Sequence, residues 1–425
     1  LEFLSAGEGQ MPPEQNNATE LTSWKEIADH LRVNIRTAQR WEEERRLPVH
    51  RLGGERGRVV AWTAELDRWK KAAIERTRWW NNARLLRIYA LALSVVVAIG
   101  AVLGSIFLAR IARKGPPQTY YWKDRSLVTL DSAGREAWRY DFPETVDPHA
   151  PIGMWIGDLD GDRSVETVAP YRPVLGGDKP MDLRCLSEQG KLRWRFAPQR
   201  KVRDRSREYA PVYHLRRFRV FPSPESKDAN WVAASFVHHW GYPCQVAVLD
   251  NHGRLRGEYW HSGHFDDLET ADLDGDGVHE ILLGGVNNGR QQAVLVVLDP
   301  RKVSGCSTQA EGDAHQLLDL PSGTEKAIVW FPRTSLNRKL EQFNFAYEVA
   351  VIGDEIKVQV KERMGDPQPF LIYVLDRGLN VKSVVPSETM RNFYLEMKAS
   401  GKLDQALSDA ELDRLRREVR VIRKQ

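Results

Sequence analysis

Two nine-residue segments carry carboxylates at a spacing that suits a hard metal cation. Acidic side chains at positions 1, 3, 5 and 9 of a tight loop converge on one point, and position 7 can add a backbone carbonyl. These positions are Asp158, Asp160, Asp162, Ser164 and Glu166 in the first segment, and Asp272, Asp274, Asp276, Val278 and Glu280 in the second. Ca²⁺ accepts such an irregular oxygen cage better than Mg²⁺ does, so we predict that these loops bind Ca²⁺.

The second loop has the more regular motif. Gly277 permits a sharp turn, and the apolar residues 281–283 follow it. The first loop has Arg163 at the equivalent position, where a side chain opposes positive φ and brings a positive charge near the ligands. An EF-hand needs a glutamate where the second loop has Leu283, and neither loop lies between predicted helices. A metal-free alternative stays open, in which the aspartates only cap turns by accepting backbone N–H bonds.

The N-terminal region has the pattern of two short helices joined by a three-residue turn. Ser23 and Glu26 form a capping box at the start of a helix over residues 24–31. Asn34 can cap a second helix over residues 35–46. This arrangement predicts a helix-turn-helix, whose second helix has the size that fits a major groove.

The second helix and the residues after it carry side chains suited to double-stranded DNA. We expect Thr37, Gln39 and Arg40 to meet base edges, because arginine pairs with guanine and glutamine with adenine. Residues 49–62 predict a β-hairpin wing. Residues 21–87 hold 16 Lys and Arg against 9 Asp and Glu, and this balance of +7 favours a polyanionic partner. The arginines expected to contact phosphates are Arg36, Arg51, Arg56 and Arg58.

One segment is apolar enough to cross a membrane. Residues 88–109 are 22 consecutive positions without a charge, and about 20 apolar residues span a bilayer core as a helix. Gly100 and Gly104 form a GxxxG pair, which would allow a homodimer through close helix contact. The alternative is that these small residues are only filler in a single-pass anchor. DNA is cytoplasmic, so we expect a single-pass inner-membrane protein with a cytoplasmic N-terminus and an extracytoplasmic C-terminus.

Composition sets wider bounds. The chain has 425 residues, a net charge of +4 and 28% charged residues, which predicts two or three globular domains and excludes disorder throughout. Cys185, Cys244 and Cys306 are too few for a disulfide scaffold. No CxxC or Cys/His motif indicates zinc.

The region after residue 120 alternates short apolar runs with turns, which predicts an all-β sandwich or propeller. A strand–turn–strand motif recurs from residues 130, 186, 249 and, more weakly, 375, and a further copy is expected near residue 298. Periodic hairpins of this kind predict the blades of a propeller. Pro386 is expected to end the β region, with helices over residues 387–399 and 408–419 after it.

We expect no enzyme. HSGHFDD, at residues 261–267, lies on a predicted strand and loop, so the helical geometry of a HExxH metalloprotease is absent. The sequence also has no GxSxG, P-loop or dinucleotide-binding motif. The best catalytic or transition-metal candidates are His238, His239, His261, His264, Asp266 and Asp267.

Several of these motifs resemble known families. Residues 21–72, with RTAQRWE and LPVHR in order, resemble the MerR/excisionase-like winged helix-turn-helix of bacterial regulators, some of which are membrane-anchored. Arg32 stands where a turn glycine is usual. The acidic loops resemble FG-GAP/VCBS repeats, the calcium-binding loops of integrin-type propellers, and the hairpins resemble quinoprotein-like blades. The resemblance implies DNA binding and a propeller fold, and it implies no redox chemistry.

The sequence therefore predicts a multidomain protein: a small α winged helix-turn-helix domain, one transmembrane helix, and an all-β propeller-like domain with C-terminal helices. Its expected function is transcription regulation in response to an extracytoplasmic ligand or partner protein. The alternative is a calcium-stabilised adhesion or scaffold protein whose helical module binds a cytoplasmic protein. The predicted order is a tail (1–20), DNA-binding domain (21–72), juxtamembrane helix (73–87), membrane span (88–109), linker (110–120), propeller-like domain (121–385) and C-terminal helices (386–425).

Overall fold

The chain forms two compact units, which divide between residues 113 and 114, inside the linker predicted at 110–120. The first unit is mainly helical, and the second consists of several β-sheets with short helices. The prediction of a multidomain, β-rich chain is confirmed. The computed structural model describes residues 18–53, 57–112, 114–147, 152–174, 179–363 and 368–424.

The first unit follows the predicted order of two helices, a hairpin and a third helix. Its three short strands form one antiparallel sheet with β3 in the centre. The elements are β1 (Glu20–Leu21), α1 (Trp24–Leu31), α2 (Ile35–Arg45), β2 (His50–Leu52), β3 (Arg58–Trp62) and α3 (Thr63–Ala112).

Local hydrogen bonds define where α1 and α2 begin. The Ser23 hydroxyl accepts the N–H of Glu26 at 3.3 Å, and the Asn34 side chain accepts the N–H of Thr37 at 2.7 Å, so both predicted caps are confirmed. Arg32 ends α1 in the left-handed region, at φ 57°. An arginine therefore holds a backbone conformation that glycine adopts more freely.

The start of α3 is anchored in the core of the first unit. Leu66 is fully buried among residues of α1, α2 and β3. The rings of Trp69 and Trp41 lie 5.5 Å apart, and the Trp69 indole N–H donates to the carbonyl of Arg45 at the end of α2. This bond satisfies a carbonyl that a helix end leaves without a partner, so α3 is held directly to α2.

The same helix continues without a break into the apolar segment. Residues Arg87–Ser105 of α3 are long and apolar enough, by length and composition, to cross a membrane. Side chains added at Gly100 or Gly104 would meet no atom of the chain within 4 Å. The small-residue face is thus open within the described part of the chain.

The second unit begins with three antiparallel sheets whose strands follow one another in chain order. The first sheet contains β4 to β6, the second β7 to β10 and the third β13 to β16, while β11 and β12 form a separate hairpin. The strands are β4 (Thr119–Lys123), β5 (Ser126–Leu130), β6 (Glu136–Asp141), β7 (Trp155–Gly157), β8 (Glu166–Tyr171), β9 (Asp182–Leu186), β10 (Leu192–Phe196), β11 (Val202–Arg203), β12 (Glu208–Tyr209), β13 (Tyr213–Pro222), β14 (Asn230–His238), β15 (Cys244–Leu249) and β16 (Leu255–His261).

Two more sheets complete the unit, again with strands in chain order. The fourth contains β17 to β20 and one strand from the C-terminus, and the fifth contains β21 to β24. The elements are β17 (Gly263–Ala271), β18 (Glu280–Asn287), β19 (Gln292–Leu298), β20 (Glu325–Trp330), α4 (Ser335–Lys339), β21 (Phe345–Ile352), β22 (Glu355–Lys361), β23 (Phe370–Asp376), β24 (Val381–Pro386), α5 (Glu388–Ala399), α6 (Asp409–Glu418) and β25 (Arg420–Arg423).

The repeated motif forms the last hairpin of its sheet in all four copies, namely β5–β6, β9–β10, β15–β16 and β23–β24. Its glycines allow neighbouring sheets to touch. A Cβ on Gly190 would lie 2.7 Å from Trp138 of the preceding hairpin, and one on Gly253 would lie 2.6 Å from Trp194. The copy expected near residue 298 is the hairpin β19–β20, which is split by residues 299–324.

The first strands of the third, fourth and fifth sheets lie side by side. Ion pairs join β13 to β17, and the Asp267 carboxylate accepts the N–H of Val349 on β21 at 2.9 Å. Charged side chains thereby link strands that belong to different sheets. The pairs are Arg216–Asp266 at 2.8 Å, Arg217–Asp267 at 3.4 Å and Arg219–Glu269 at 3.3 Å.

The prediction that Pro386 ends the β region is wrong at the C-terminus. The two predicted helices are present as α5 and α6, but β25 follows them and pairs antiparallel with β20. A strand of four residues, two of them arginine, is too short and too polar to give a period-two signal. The C-terminal segment therefore returns into the fourth sheet.

Candidate functional sites

The residues of α2 that were predicted to face DNA lie together on one surface. They line a depression of about 440 Å³. Arg36, Gln39 and Arg40 are exposed and Thr37 is half-buried, whereas Ala38 is fully buried in the core. Burial of Ala38 orients the helix so that this face points to solvent. The residues on the face are Arg36, Thr37, Gln39 and Arg40.

The arginines expected on the hairpin have different surroundings. Arg51 donates to both carboxylate oxygens of Glu42 on α2, at 3.2 and 3.0 Å, so it ties the hairpin to the helix. Arg58 is exposed on β3. Arg56 lies outside the described residues. The structure thus brings the four α2 residues together. Arg51 has an acidic partner in Glu42, and Arg40 has one in Glu44, 3.8 Å away on the next turn of α2.

The first acidic loop brings all four predicted carboxylates together. Each contributes an oxygen within 4.8 Å of the others. Asp158 accepts the N–H groups of Gly161 and Arg163 at 2.7 and 2.9 Å. Asp162 accepts the N–H of Ser164 at 2.7 Å, which lowers the pKa of Asp162. Backbone donors therefore shape the turn. The four carboxylates are those of Asp158, Asp160, Asp162 and Glu166.

A basic side chain from a neighbouring strand enters this loop. Arg193 on β10 contacts Asp160 at 2.6 Å and Glu166 at 2.9 Å. Glu166 is 1% exposed, and its burial raises its pKa. The second oxygen of Asp160, Oδ1, is buried and has no hydrogen-bond partner among the described residues. One buried acceptor of the cage thus remains available to a cation.

The second acidic loop repeats the turn but gathers only three of its carboxylates. Asp272, Asp274 and Asp276 place oxygens within 4.8 Å of one another, and Glu280 does not join them. Asp272 accepts the N–H groups of Gly275 and Gly277 at 2.7 and 3.0 Å. The turn therefore has the geometry of the first loop, although the carboxylate cluster is smaller.

Lys326 has the role in the second loop that Arg193 has in the first. Its ammonium contacts Asp274 at 2.7 Å and Glu280 at 2.6 Å. This hydrogen bond lowers the pKa of Asp274. Arg301 adds a contact to Asp276 at 3.1 Å. The second loop is therefore more fully neutralised by protein cations than the first.

Neither basic residue belongs to the loop motif that predicted the site. Arg193 and Lys326 are each the second residue of the fourth strand of their sheet, β10 and β20. A basic residue at this shared strand position was the only signal in the sequence, and it becomes readable only once the strand register is known.

The remaining loop positions also differ between the two copies. Arg163 has φ 71° and Gly277 has φ 84°, so the arginine adopts the left-handed conformation that glycine adopts freely. At position 7, the N–H groups of Ser164 and Val278 donate to Asp162 and Asp276. The metal-free alternative predicted such bonds, in which aspartates cap the turn by accepting backbone N–H groups. They leave the outer carboxylate oxygens to the basic residues or to a metal.

The histidine candidates do not form a metal cluster. His264 lies 3.3 Å from Asp266, but His261 is buried and its Nε2 lies 3.0 Å from the carbonyl of Val286. Burial lowers the pKa of His238 to about 4, so this ring is neutral near pH 7. Among the described residues, only the two acidic loops bring three or more possible metal ligands together.

The donor chemistry of both loops fits a hard cation. All their converging side-chain ligands are carboxylate oxygens, the donors that Ca²⁺ and Mg²⁺ take, whereas zinc sites use sulfur and nitrogen. The unpartnered Asp160 oxygen in the first loop fits such an ion best.

Comparison with known proteins gives little guidance. No family model matches the chain, and no curated protein matches it. A protein of unknown function from Bacteroides caccae is 9% identical and has a TM-score of 0.25, with 65% of this chain and 96% of that chain covered.

Two further structures are similarly distant. A Synechocystis apocarotenoid oxygenase is 12% identical, with a TM-score of 0.25 and coverage of 63% of this chain and 69% of that chain. The V. cholerae biofilm matrix protein Bap1 is 8% identical, with a TM-score of 0.17 and coverage of 62% and 58%. Such similarities carry no argument about function.

Proposed function

We propose that the chain is a single-pass membrane transcription regulator whose first unit binds double-stranded DNA. The observation that carries this proposal is the exposed face of α2, where Arg36, Thr37, Gln39 and Arg40 lie together beside a buried Ala38. An exposed helix face with arginine and glutamine side chains matches the chemistry of base edges in a major groove. The order of α1, α2, hairpin and α3 supports a winged helix-turn-helix.

The geometry of α3 supports coupling between a membrane span and the DNA-binding face. Residues Arg87–Ser105 would cross the bilayer, and the same helix bonds to the end of α2 through Trp69. Rotation or displacement of α3 would therefore move α2 as well. Dimerisation through the open Gly100 and Gly104 face would bring two DNA-binding units to paired half-sites.

We assign the second unit an extracytoplasmic sensing role, with the fold of a β-propeller. Three observations support this fold: five successive meander sheets, contacts between the first strands of the third, fourth and fifth sheets, and tryptophan–glycine contacts between outer hairpins. The acidic loops would bind Ca²⁺, with the first loop the stronger site because it gathers four carboxylates. The sensed ligand or partner protein would bind elsewhere on this unit.

DNA binding is tested with the full chain in lipid nanodiscs. DNA sequences are selected from a random pool, and their affinity is measured by fluorescence anisotropy at several salt concentrations. We expect salt-sensitive binding that weakens about tenfold or more in Arg40→Ala and in Gln39→Ala, since each good base contact contributes about 1–3 kcal/mol. Arg195→Ala removes an exposed charge from the second unit and should leave the affinity unchanged.

The outcome separates the two functional classes. If no sequence is enriched, or if Gln39→Ala and Arg40→Ala bind like the unmodified chain, the regulator proposal fails. Capture of a cytoplasmic protein that depends on Gln39 and Arg40, without DNA binding, would instead favour the scaffold alternative.

Calcium binding is tested by thermal unfolding with added Ca²⁺ or with chelator. A ligand that binds only the folded state stabilises it, by about 2.7 kcal/mol at a hundredfold excess over Kd. We expect Ca²⁺ to raise the unfolding temperature, and Asp160→Asn to remove most of that rise. A chelator without effect on the unmodified chain would contradict calcium binding.

A further inference from the structure

A cleft at the edge of the fourth sheet contains five arginines. It has a volume of about 580 Å³ and is formed by β20, the segment around α4, and the junction of α6 with β25. We call it the arginine cleft. Its charged residues are Arg290, Arg333, Arg338, Arg417, Arg420 and Glu418.

Three of the five arginines have no acidic partner among the described residues. Glu418 pairs with Arg338 at 3.1 Å and is also shared with Arg414 outside the cleft. In the described part of the chain, Arg290, Arg417 and Arg420 make no ion pair. Five arginines and one glutamate therefore line the cleft, and the buried Glu362 also acts electrostatically on Arg333. The excess of positive charge favours an anion in the cleft.

The walls of the cleft are fixed by packing and hydrogen bonds. Arg290 lies over the ring of Trp330, 4.6 Å from its centre, and Arg420 is paired with Trp330 across the adjacent strands. The Nε of Arg333 donates to the side chain of Asn337 at 2.6 Å. The contacts of Arg290 and Arg333 position their guanidinium groups before a ligand arrives, which lowers the entropy lost on binding.

We propose that the arginine cleft binds a small oxyanion that bears two or more phosphate or carboxylate groups. The planar guanidinium group matches both groups through paired N–H donors. The volume lies in the range of sites for small ligands. Binding to the cleft does not depend on the proposed function, whereas a role for this anion as the sensed signal rests on it.

Isothermal titration calorimetry of the full chain in nanodiscs tests the cleft. The probes are inorganic tripolyphosphate and citrate, in buffer freed of divalent cations because both probes chelate them. We expect saturable binding of at least one probe, with one site per chain. Tighter binding of tripolyphosphate would identify a phosphate ligand, and tighter binding of citrate a carboxylate ligand.

Variants locate the binding. Arg417→Ala and Arg420→Ala should each weaken it about tenfold, and the double variant about a hundredfold. Arg417→Glu, an exposed substitution on a helix, should abolish it. Arg195→Ala controls for general charge, and Arg36→Ala controls for binding to the first unit. Both should bind like the unmodified chain.

The results that overturn the proposal are equally specific. They are an absence of saturable binding, an affinity unchanged by Arg417→Glu, or binding that is lost in Arg36→Ala and kept in the cleft variants. Failure here with intact DNA binding would remove the anion site alone, and loss of DNA binding with intact anion binding would remove the proposed function alone.

Discussion

The two acidic loops share a motif but differ in how the protein neutralises it. The loop at residues 158–166 gathers four carboxylates against one arginine, Arg193, and a buried oxygen of Asp160 has no hydrogen-bond partner among the described residues. The loop at residues 272–280 has the more regular sequence, yet it gathers three carboxylates and is contacted by Lys326 and Arg301. The loop with the more regular sequence motif is thus the one whose carboxylates are less available to a metal.

The difference teaches that the strand beside a loop matters as much as the loop itself. A cationic side chain that bridges positions 3 and 9 satisfies the carboxylates in the absence of metal and competes with metal for them. Arg193 does so with two nitrogens, while Lys326 offers a single mobile ammonium group. Substitution of Arg193 or Lys326 by an uncharged residue therefore tests this difference between the two loops most directly.

The largest effect is expected from Lys326→Met measured in chelator. The substitution leaves Glu280, which is fully buried, without a cationic partner, and breaking such a pair costs roughly 4 kcal/mol of unfolding free energy. Arg193→Met leaves Glu166 in the same state and should lose a similar amount. Chemical denaturation of both variants measures the loss.

Calcium should offset these losses, because the ion would occupy the place of the missing side chain. We expect Ca²⁺ to restore part of the lost unfolding free energy in both variants. The restored part should be larger for Arg193→Met, because its loop gathers one more carboxylate. Equal losses with and without Ca²⁺ in both variants would mean that the loops are only salt-bridged turns.

Glu362 extends the comparison to a buried glutamate that makes no ion pair among the described residues, although the charge of Arg333 acts on it from a distance. Its side chain is held by the N–H and hydroxyl of Thr334, and burial raises its pKa to about 7. The folded chain then keeps a proton between pH 4.5 and 7 that the unfolded chain has lost, so unfolding free energy falls as pH rises through this window.

The measurement compares Glu362→Gln with the unmodified chain at pH 5 and pH 8. Between pH 5 and pH 8, the unmodified chain should lose about 3 kcal/mol of unfolding free energy that Glu362→Gln does not lose, because each pKa unit corresponds to 1.36 kcal/mol. Parallel pH profiles would show that the carboxyl group titrates normally.

The smallest effect concerns the backbone of the loops. Arg163→Gly relieves a side chain held at φ 71° and should raise the unfolding free energy by about 1 kcal/mol. Gly277→Ala, at φ 84° with open space around its Cβ position, should lower it by a similar amount. If both variants shift the unfolding temperature in the same direction, the strain of a side chain at positive φ does not determine the stability of these loops.

Local sequence patterns predicted the parts of these sites that lie close together in the chain. The acidic spacing, the caps at Ser23 and Asn34, and the exposed face of α2 all follow from spacing within a few residues. Arg193 and Lys326 reach their loops from 33 and 52 residues away. Only the pairing of strands reveals such contacts.

The arginine cleft could not be predicted from local sequence patterns. Two strands of the fourth sheet and all of the fifth lie between Arg290 and Arg417 in the chain. The two arginines meet because α6 and β25 return to the edge of β20. The strand that completes the cleft is short and polar, so periodicity gives no signal for it.

The central claim is that the face of α2 reads DNA while α3 holds the chain in the membrane. Its most direct test is genome-wide occupancy in cells by crosslinking and immunoprecipitation, comparing the full chain with Arg36→Ala/Gln39→Ala/Arg40→Ala. We predict discrete sites that vanish in the variant, with both proteins equally abundant in the membrane fraction. Absence of enriched sites, or sites unchanged in the variant, would contradict the account.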